Sequence, residues 1–212
     1  MQILDERVER YLHELRPARS AVMAEMEQVA ERDSVPIVRW ETGRLLAAIC
    51  RAFDPRVLEV GTAIGYSTLH MAEQLSNGRV VTLEVDADRA AQARASFERA
   101  GVAERVQLVE GDALEMIPRL EGPFDLLFVD AAKREYARYI ELAQPLLSDR
   151  ALMVVDNLLM SGEVALPENA VTRWRTDSLA AARALNRELL ASDRWLACVL
   201  PVGDGIGVAA RM

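Results

Sequence analysis

Short apolar runs alternate with segments of helical length from position 56 onward, and this alternation constrains the fold more than any other feature. The runs are Arg56–Val60, Val80–Val85, Val106–Val109, Leu126–Val129 and Leu152–Val155. Each run is apolar on both faces, as a strand buried in a parallel sheet must be. The intervening segments predict βα crossover helices at Ala87–Ala100, Ala113–Leu120 and Tyr136–Leu147. The sequence therefore predicts an α/β fold built on a mostly parallel sheet.

Two further apolar runs, Trp195–Val202 and Gly205–Ala210, meet at the tight-turn signal Gly203-Asp204-Gly205. Such a turn between two strand-like runs predicts an antiparallel hairpin, here at the end of the sheet. A helix predicted over Ser178–Ala191 precedes the hairpin. With the hairpin included, we predict a seven-stranded, doubly wound, Rossmann-like sheet.

The N-terminal part of the chain has helical rather than strand-like spacing. Its first helix has apolar residues at Leu4, Val8, Tyr11, Leu12 and Leu15. Pro17 begins a second helical segment, and a break at residues 34–36 precedes a third. We predict one domain over residues 1–212, with a helical cap at 1–52 and an α/β core at 53–212.

Composition and charge narrow the class of protein. The formal net charge is −8, with 33 acidic against 25 basic residues, which disfavours nucleic acid as a partner because phosphate neutralisation needs clustered Lys and Arg. The N-terminus is too charged for a signal peptide, and no apolar run approaches the ~20 residues that cross a bilayer. Cys50 and Cys198, each flanked by apolar residues, are expected to be buried and suit a reducing compartment. We therefore expect a cytoplasmic protein with no membrane partner.

The strongest local motif is Val57-Leu-Glu-Val-Gly-Thr-Ala-Ile-Gly-Tyr-Ser-Thr68, where a buried strand runs into a glycine turn and a helix begins near Ser67. Glycines let the backbone approach a ligand closely, and a helix N-terminus favours negative charge. Gly61 and Gly65 bracket Ala63, so the GxGxxG pattern of dinucleotide sites is incomplete and the spacing disfavours NAD. Taken alone, the motif fits either a nucleotide-type ligand or a plain tight turn.

Two acidic residues at the next strand ends favour the ligand interpretation. Glu84 ends the second strand, where its carboxylate could accept hydrogen bonds from the two hydroxyls of a ribose. Asp112 lies at the end of the third strand and extends the same edge. Ligands in open α/β sheets bind beyond the carboxyl ends of the strands, so these positions belong together. The alternative is a solvated acid at the end of each strand.

A second acidic group follows the fourth and fifth strands. Asp130 ends one run, Asp156 ends the other, and Asn157 stands beside Asp156. Two carboxylates and an amide at neighbouring strand ends form an oxygen cage suited to Mg²⁺ or another hard divalent cation. His13 and His70 fall on other predicted helices, which weakens a zinc or iron hypothesis. The alternative is that these acids cap loops.

Lys133 follows Asp130 by three residues in the segment Asp-Ala-Ala-Lys. This offset lets its amine return toward the site that the aspartate faces. A cation bound nearby would favour its use as a general base. The competing interpretation is a solvated loop lysine.

The order and spacing of these motifs resemble the cation-dependent O-methyltransferase family, which includes catechol and caffeoyl-coenzyme A O-methyltransferases and bacterial relatives. The resemblance spans about residue 35 to the last residue. It is carried by the segments VLEVGTAIGYST, TLEVD, EGDALEMI, FDLLFVDAAKREY, VVDNLLMSGEV and LPVGDGIGVA.

The resemblance implies a class I S-adenosylmethionine-binding site and a set of residue roles. Residues Val38, Glu59, Gly61, Gly65 and Ser67 would surround the methionine portion, Glu84 the ribose, and Asp112 and Ala113 the adenine. Asp130, Asp156 and Asn157 match the metal ligands, with Asp130 also beside the cofactor. Lys133 matches the catalytic lysine, assisted by Asp130.

The implied reaction is methylation of one hydroxyl of a catechol-like small molecule whose vicinal hydroxyls face a divalent cation such as Mg²⁺. The resemblance also implies a homodimer, because members of the family tend to dimerise. The chain departs from the family pattern at Ser148-Asp-Arg150, where relatives often have Pro-Gly-Gly, and at Met160, where many have Trp. Met160, Trp174 and Arg175 are candidates for contacting the acceptor, although packing is the stronger interpretation for Trp174.

Two other functions stay open at this point. A bacterial relative could methylate a hydroxyl on a modified tRNA uridine, and Arg173 with Arg175 could form a local basic patch for that purpose. A non-catalytic S-adenosylmethionine-binding protein is the second alternative. The presence of Asp130, Lys133 and Asp156 argues against it, because binding alone needs none of them.

Overall fold

The computed structural model describes residues 3–167 and 169–212. Its centre is a seven-stranded sheet with strand order β3-β2-β1-β4-β5-β7-β6. The strands are β1 (Arg56–Val60), β2 (Arg79–Glu84), β3 (Val106–Glu110), β4 (Phe124–Val129), β5 (Leu147–Val155), β6 (Trp195–Leu200) and β7 (Ile206–Arg211). Strands β1 to β5 are mutually parallel, whereas β7 is antiparallel to both β5 and β6. This confirms the predicted sheet and its antiparallel hairpin.

The chain changes direction across the sheet at β1. Strands β2 and β3 extend from one side of β1, and β4 and β5 extend from the other. The carboxyl ends of these parallel strands all lie at one edge of the sheet, which we call the carboxyl edge. A crevice forms beyond that edge where the strand order reverses, between β1 and β4. This is the position at which the predicted site residues should meet.

Eight α-helices flank the sheet in the described part of the chain. They are α1 (Glu6–Glu14), α2 (Ala21–Asp33), α3 (Trp40–Phe53), α4 (Tyr66–Ala72), α5 (Ala87–Arg99), α6 (Ala113–Met116), α7 (Tyr136–Ala143) and α8 (Thr176–Leu190). Helices α1 to α3 are those predicted for the N-terminal region, and α4 begins next to Ser67 as expected. The predicted helices after β3 and β4 are shorter than expected, because each ends in a 3-10 turn containing a proline at its first or second position.

The core is divided between the two faces of the sheet. Successive strand residues alternate, so that Val57 packs with α2 to α5 on one face and Leu58 packs with α7 and α8 on the other. Both side chains are fully buried. Helices on both faces explain why each strand reads as a continuous apolar run, and they establish the doubly wound arrangement.

Two apolar positions differ from the expectation. Cys50 is buried in α3, but Cys198 is exposed, so the prediction of two buried thiols is wrong for Cys198. Cys198 lies on β6, which is the edge strand of the sheet and presents one of its faces to solvent. The predicted second strand includes Val85, but β2 ends at Glu84 and Val85 is 73% exposed.

No helix in the described part of the chain is long and apolar enough to cross a membrane.

Candidate functional site

A cleft of about 330 Å³ opens at the carboxyl edge of the sheet. Among the residues predicted for the site, those that line it are Val38, Gly61, Ser67, Glu84, Asp112, Ala113, Asp130 and Lys133. Glu59, Gly65, Asp156 and Asn157 do not line the cleft. The structure thus brings most of the predicted residues to one cavity, and the others lie beneath or beside it.

The glycine turn holds β1 against β4. Gly61 has a φ of +102°, and a Cβ atom added there would lie 2.2 Å from the carbonyl oxygen of Asp130. The backbone N–H of Gly61 donates to the carbonyl oxygen of Leu83 at 3.1 Å, which ties the turn to β2 as well. Glycine is required here both by its conformation and by the close approach of a second backbone.

Gly65 has a different structural role: it is the N-cap residue of α4 and has a φ of +90°. A Cβ atom on Gly65 would lie 2.6 Å from the Phe97 ring of α5. The missing side chain therefore lets the start of α4 approach the Phe97 ring of α5 closely.

Glu59 is buried under the glycine turn with no exposed surface. Its carboxylate accepts hydrogen bonds from the Ser67 hydroxyl, at 2.5 Å, and from the Thr68 hydroxyl. Burial raises the pKa of Glu59 to about 7, although these two hydroxyl donors act in the opposite direction. Glu59 thus fixes the first turn of α4 from below rather than meeting a ligand directly.

Glu84 is the last residue of β2 and is 7% exposed. One carboxylate oxygen accepts the backbone N–H of Ala63 at 2.7 Å, and the other accepts that of Asp86 at 2.9 Å. The side chain therefore connects the glycine turn to the start of α5. Each oxygen keeps a further lone pair for a ligand in the cleft.

Asp112 and Ala113 form the wall of the cleft beyond β3. Asp112 is the N-cap of α6, and its carboxylate accepts the backbone N–H of Leu114 at 2.8 Å. Ala113 is the first residue of that helix. Opposite them, Pro36, Ile37 and Val38 come from the segment before α3 and cover the cleft.

Asp130 and Asp156 are neighbours because of the strand register. Val129 of β4 is paired with Val155 of β5, and the two aspartates are the next residues in each chain segment. The backbone N–H of Asp156 donates to the carbonyl oxygen of Val129 at 3.1 Å. Asp156 is 3% exposed, and burial raises its pKa, with the negative charge of Asp130 adding to the effect. Two carboxylates side by side at this depth favour a positive charge between them.

Asn157 follows Asp156 with a φ of +62°, in the left-handed region that asparagine tolerates better than most residues. Its backbone N–H donates to the Asp156 carboxylate at 2.7 Å. This contact fixes one carboxylate oxygen and turns the chain sharply at the end of β5.

Lys133 returns to Asp130 as its spacing predicts. The Lys133 Nζ lies 2.6 Å from a carboxylate oxygen of Asp130, and both side chains are about four-fifths buried. The hydroxyl of Tyr136 also approaches that oxygen, at 3.4 Å. The amine therefore stands at the boundary between the cleft and the acid pair.

Sequence reasoning missed several residues of the cleft. Glu135 and Tyr139 line it, and the Tyr139 hydroxyl donates to the Glu135 carboxylate. Glu135 and Tyr139 are four residues apart at the start of a predicted helix, and this spacing predicts that their side chains are neighbours on one face. Thr62 also lines the cleft, and its hydroxyl shares a buried hydrogen bond of 2.6 Å with that of Thr82 on β2. Nothing in the sequence predicts this contact.

The three candidates for acceptor contact do not line the cleft. Met160 is 1% exposed and packs with Leu179 of α8, and Trp174 packs against the same cluster. Arg175 points to solvent and forms an ion pair with Asp177. The backbone is left-handed at residues 160–162, and the Met160 side chain is buried, so its contact with an acceptor stays a prediction.

Comparison with known proteins agrees with this geometry. The O-methyltransferase family model matches residues 11–212, and the chain belongs to that family. The catechol O-methyltransferase of Mycobacterium tuberculosis is 38% identical over 172 residues, which cover 80% of this chain and 75% of that enzyme. The catechol O-methyltransferase of Niastella koreensis is 42% identical over 132 residues, and this match covers 60% of this chain and 58% of that enzyme, less than two thirds of its length.

The fold is also that of a solved relative. The O-methyltransferase TomG of Streptomyces achromogenes, in complex with S-adenosylmethionine, is 28% identical with a TM-score of 0.84. The match covers 97% of this chain and 96% of that one. The chain is therefore an S-adenosylmethionine-dependent O-methyltransferase, and neither alternative raised from the sequence is favoured by these similarities.

Proposed function

We propose that this enzyme transfers a methyl group from S-adenosylmethionine to one hydroxyl of a catechol-like small molecule, with a divalent cation such as Mg²⁺ at Asp130, Asp156 and Asn157. The observation that carries the proposal is the adjacent pair Asp130 and Asp156, with Lys133 beside it, at the border of the cleft. The names of the relatives from Niastella and Mycobacterium support the class of acceptor.

The donor atoms fit a hard cation. Within residues 3–167 and 169–212, no cluster of three or more His, Cys, Asp or Glu side chains is placed to hold a metal. The candidate site consequently needs the Asn157 amide as its third protein donor, beside two carboxylates. Oxygen donors of this kind are those that Mg²⁺ prefers, and an acceptor with two adjacent hydroxyls could add two more. A bound cation would offset the repulsion between the carboxylates and favour ionisation of an acceptor hydroxyl.

The other residues of the cleft would bind the methyl donor, S-adenosylmethionine. We assign Glu84 to the ribose hydroxyls, and Asp112 with Ala113 to the adenine. The glycine turn from Gly61 to Gly65, supported by Glu59 and Ser67, would hold the methionine portion together with the Val38 backbone. Because Asp130 lines the cleft and is next to Asp156 across the sheet, we assign it to both the donor and the cation.

Lys133 is the proposed general base. In its neutral form the amine would take the proton from the acceptor hydroxyl, and the oxygen would attack the methyl carbon in line. A carbon–oxygen bond forms as the carbon–sulfur bond breaks, and the sulfonium leaves as a neutral thioether. Alignment of two bound reactants can lower such a barrier by on the order of 7–11 kcal/mol.

Methyl transfer from labelled S-adenosylmethionine to a panel of small catechols, with Mg²⁺ and with excess chelator, tests the proposal. Transfer that requires the cation supports both the acceptor class and the metal. Equal transfer in chelator would refute the role of the cation. No transfer from protein shown to bind the donor would refute the acceptor class, and bulk tRNA lacking the modification would be the next acceptor to test.

A homodimer forms part of the proposal. Helix α1 has no buried residue, and Val8, Tyr11 and Leu15 of its apolar stripe are between 46% and 61% exposed. A second copy covering this stripe would remove it from water. Light scattering on the purified protein should give twice the monomer mass, and a monomer mass would refute this part.

A further inference from the structure

A second cleft, of about 200 Å³, is lined by Ser161 and Asp204, and the backbone of Asp204 is bonded to the loop that follows Asp156. We call it the side cleft; its polar lining consists of Glu9, Arg39, Glu41, Ser161, Arg173 and Asp204. Part of its lining follows in sequence from that of the first cleft: Pro36, Ile37 and Val38 line the first cavity, and Arg39 lines the second. The two cavities therefore share the segment before α3.

The opposite wall of the side cleft is tied to the loop that follows Asp156. The backbone N–H of Leu158 donates to Gly205 at 2.8 Å, and that of Leu159 donates to Asp204 at 3.0 Å. Asp204 is also close enough to Asp156 for its charge to act on that carboxyl. An acceptor whose hydroxyls face Asp130 and Asp156 could consequently extend its substituent into the side cleft.

The two arginines of the side cleft already have partners. Arg39 forms an ion pair with Glu9 at 3.0 Å. Arg173 forms one with Glu163 at 3.0 Å, and Glu163 is 3% exposed. Their positive charges are therefore balanced within the protein.

Within residues 3–167 and 169–212, two carboxylates of the side cleft, those of Glu41 and Asp204, form no ion pair. The Oε2 atom of Glu41 is buried, and it has no hydrogen-bond partner in the part of the chain that the structure describes. Asp204 accepts a hydrogen bond from the neutral Ser161 hydroxyl at 3.2 Å. A buried carboxylate oxygen without a donor is costly, and native proteins keep few of them unless something else supplies the donor. Among the residues that the structure describes, Glu41 thus has neither a positive partner nor a hydrogen-bond donor for its buried oxygen.

We propose that Glu41 is a specificity-determining residue that, with Asp204, binds an ammonium group on the substituent of the acceptor. This inference rests on the proposed function, because it concerns the same acceptor. An ammonium group brings three donors and a positive charge, and so supplies what Glu41 lacks. A carboxylate at the same place would meet Glu41 and Asp204 and be repelled.

Three catechols with the same ring separate charge from shape: dopamine, uncharged 4-ethylcatechol and anionic dihydrocaffeate. For the unmodified enzyme, kcat/KM should be highest for dopamine and lowest for dihydrocaffeate. Glu41→Gln keeps the shape of the side chain and removes its charge. It should lower the ratio of kcat/KM for dopamine to that for 4-ethylcatechol by about tenfold or more, with little change for 4-ethylcatechol.

The ratio does not depend on how much of the variant is folded, since both acceptors are measured on the same enzyme. Glu31→Gln, an exposed change on α2, is the matched control and should leave the ratio unchanged. An unchanged ratio in Glu41→Gln, or a preference for dihydrocaffeate in the unmodified enzyme, would overturn the inference while the proposed function stands. Methylation of none of the three catechols would overturn the proposed function and this inference with it.

Discussion

Asp54 at one end of the sheet and Asp156 at the other are carboxylates in opposite environments. Asp54 precedes β1, and its oxygens accept the backbone N–H groups of Ser76, Asn77 and Gly78 at 2.7, 2.9 and 3.1 Å. These bonds lower its pKa to about 2. At the carboxyl edge, Asp156 is buried beside Asp130, and its pKa is raised.

The difference separates a structural acid from a functional one. Asp54 is saturated with donors and closes the loop that leads into β2. Asp130 and Asp156 together carry two negative charges, and Lys133 is the cation paired with Asp130. The pair therefore favours a ligand that brings positive charge. The following predictions test this contrast, beginning with the change expected to have the largest effect.

Gly61→Ala should abolish cofactor binding and destabilise the fold by more than about 4 kcal/mol. The added Cβ would lie 2.2 Å from a backbone oxygen, at a φ of +102°, so β1 and β4 would have to separate. Gly101→Ala is the matched control, because Gly101 has a φ of +69° with no atom within 4 Å of the added Cβ. It should cost about 1–2 kcal/mol and leave binding intact. Calorimetry with S-adenosylmethionine and chemical denaturation would measure both, and equal costs for the two variants would contradict the account of the turn.

Asp156→Ala should lower metal-dependent turnover by about 10²–10³-fold or more, because it removes one of the two proposed carboxylate ligands. Affinity for S-adenosylmethionine should change little, since Asp156 does not line the cofactor cleft. Asp149→Ala, an exposed change near the other end of β5, should keep full activity. Stabilisation by added Mg²⁺ in thermal unfolding provides a second measurement. Full activity of Asp156→Ala in excess chelator would rule out the metal role.

Glu59→Gln should become more stable relative to the unmodified protein as the pH rises from 5 to 8. The folded protein keeps the Glu59 proton up to about pH 7, whereas the ordinary value for Glu is 4.5. Between these values the folded state binds more protons than the unfolded state, so its free energy of unfolding falls as the pH rises. The variant lacks this loss. The free energy of unfolding of the variant, measured relative to that of the unmodified protein, should therefore increase by up to about 3 kcal/mol from pH 5 to pH 8. Denaturation at both pH values, with Glu31→Gln as the control, would reveal the gain or its absence.

Asp54→Asn should be less stable than the unmodified protein at neutral pH, with a smaller difference in acid. The pKa of Asp54 is lowered from 3.8 to about 2, so its stabilisation is complete above about pH 4 and is lost as the pH falls through 2. Acid unfolding followed by circular dichroism would measure the difference, with exposed Asp149→Asn as the control. A difference that does not change with pH would show that the carboxylate charge is not what holds the loop.

The sheet could be predicted because its strands are buried on both faces. Runs such as Leu126–Val129 need no knowledge of the rest of the molecule, and the acids that follow them fall at the carboxyl edge by the rules of parallel sheets. Strand ends were less certain, as Val85 illustrates, because an apolar residue just beyond a strand looks like one within it.

Properties that depend on distant parts of the chain could not be predicted. Cys198 is exposed because β6 ends up at the edge of the sheet, which its flanking apolar residues do not reveal. Met160 is buried against Leu179 of α8, a helix that begins 16 residues further along the chain. The Glu41 oxygen has no partner because Arg39 and Arg173 form ion pairs with other carboxylates. Spacing along the sequence does not predict which carboxylate an arginine will pair with.

The position of β7 has a consequence for how the enzyme is made. This strand lies between β5 and β6, so the β5 edge stays unpaired until residues 206–211 have left the ribosome. The same hairpin holds the loop after Asp156 through its bonds to Leu158 and Leu159. A nascent chain can therefore assemble the glycine turn before residues 206–211 emerge, but the loop after Asp156 is held in place only once they have emerged.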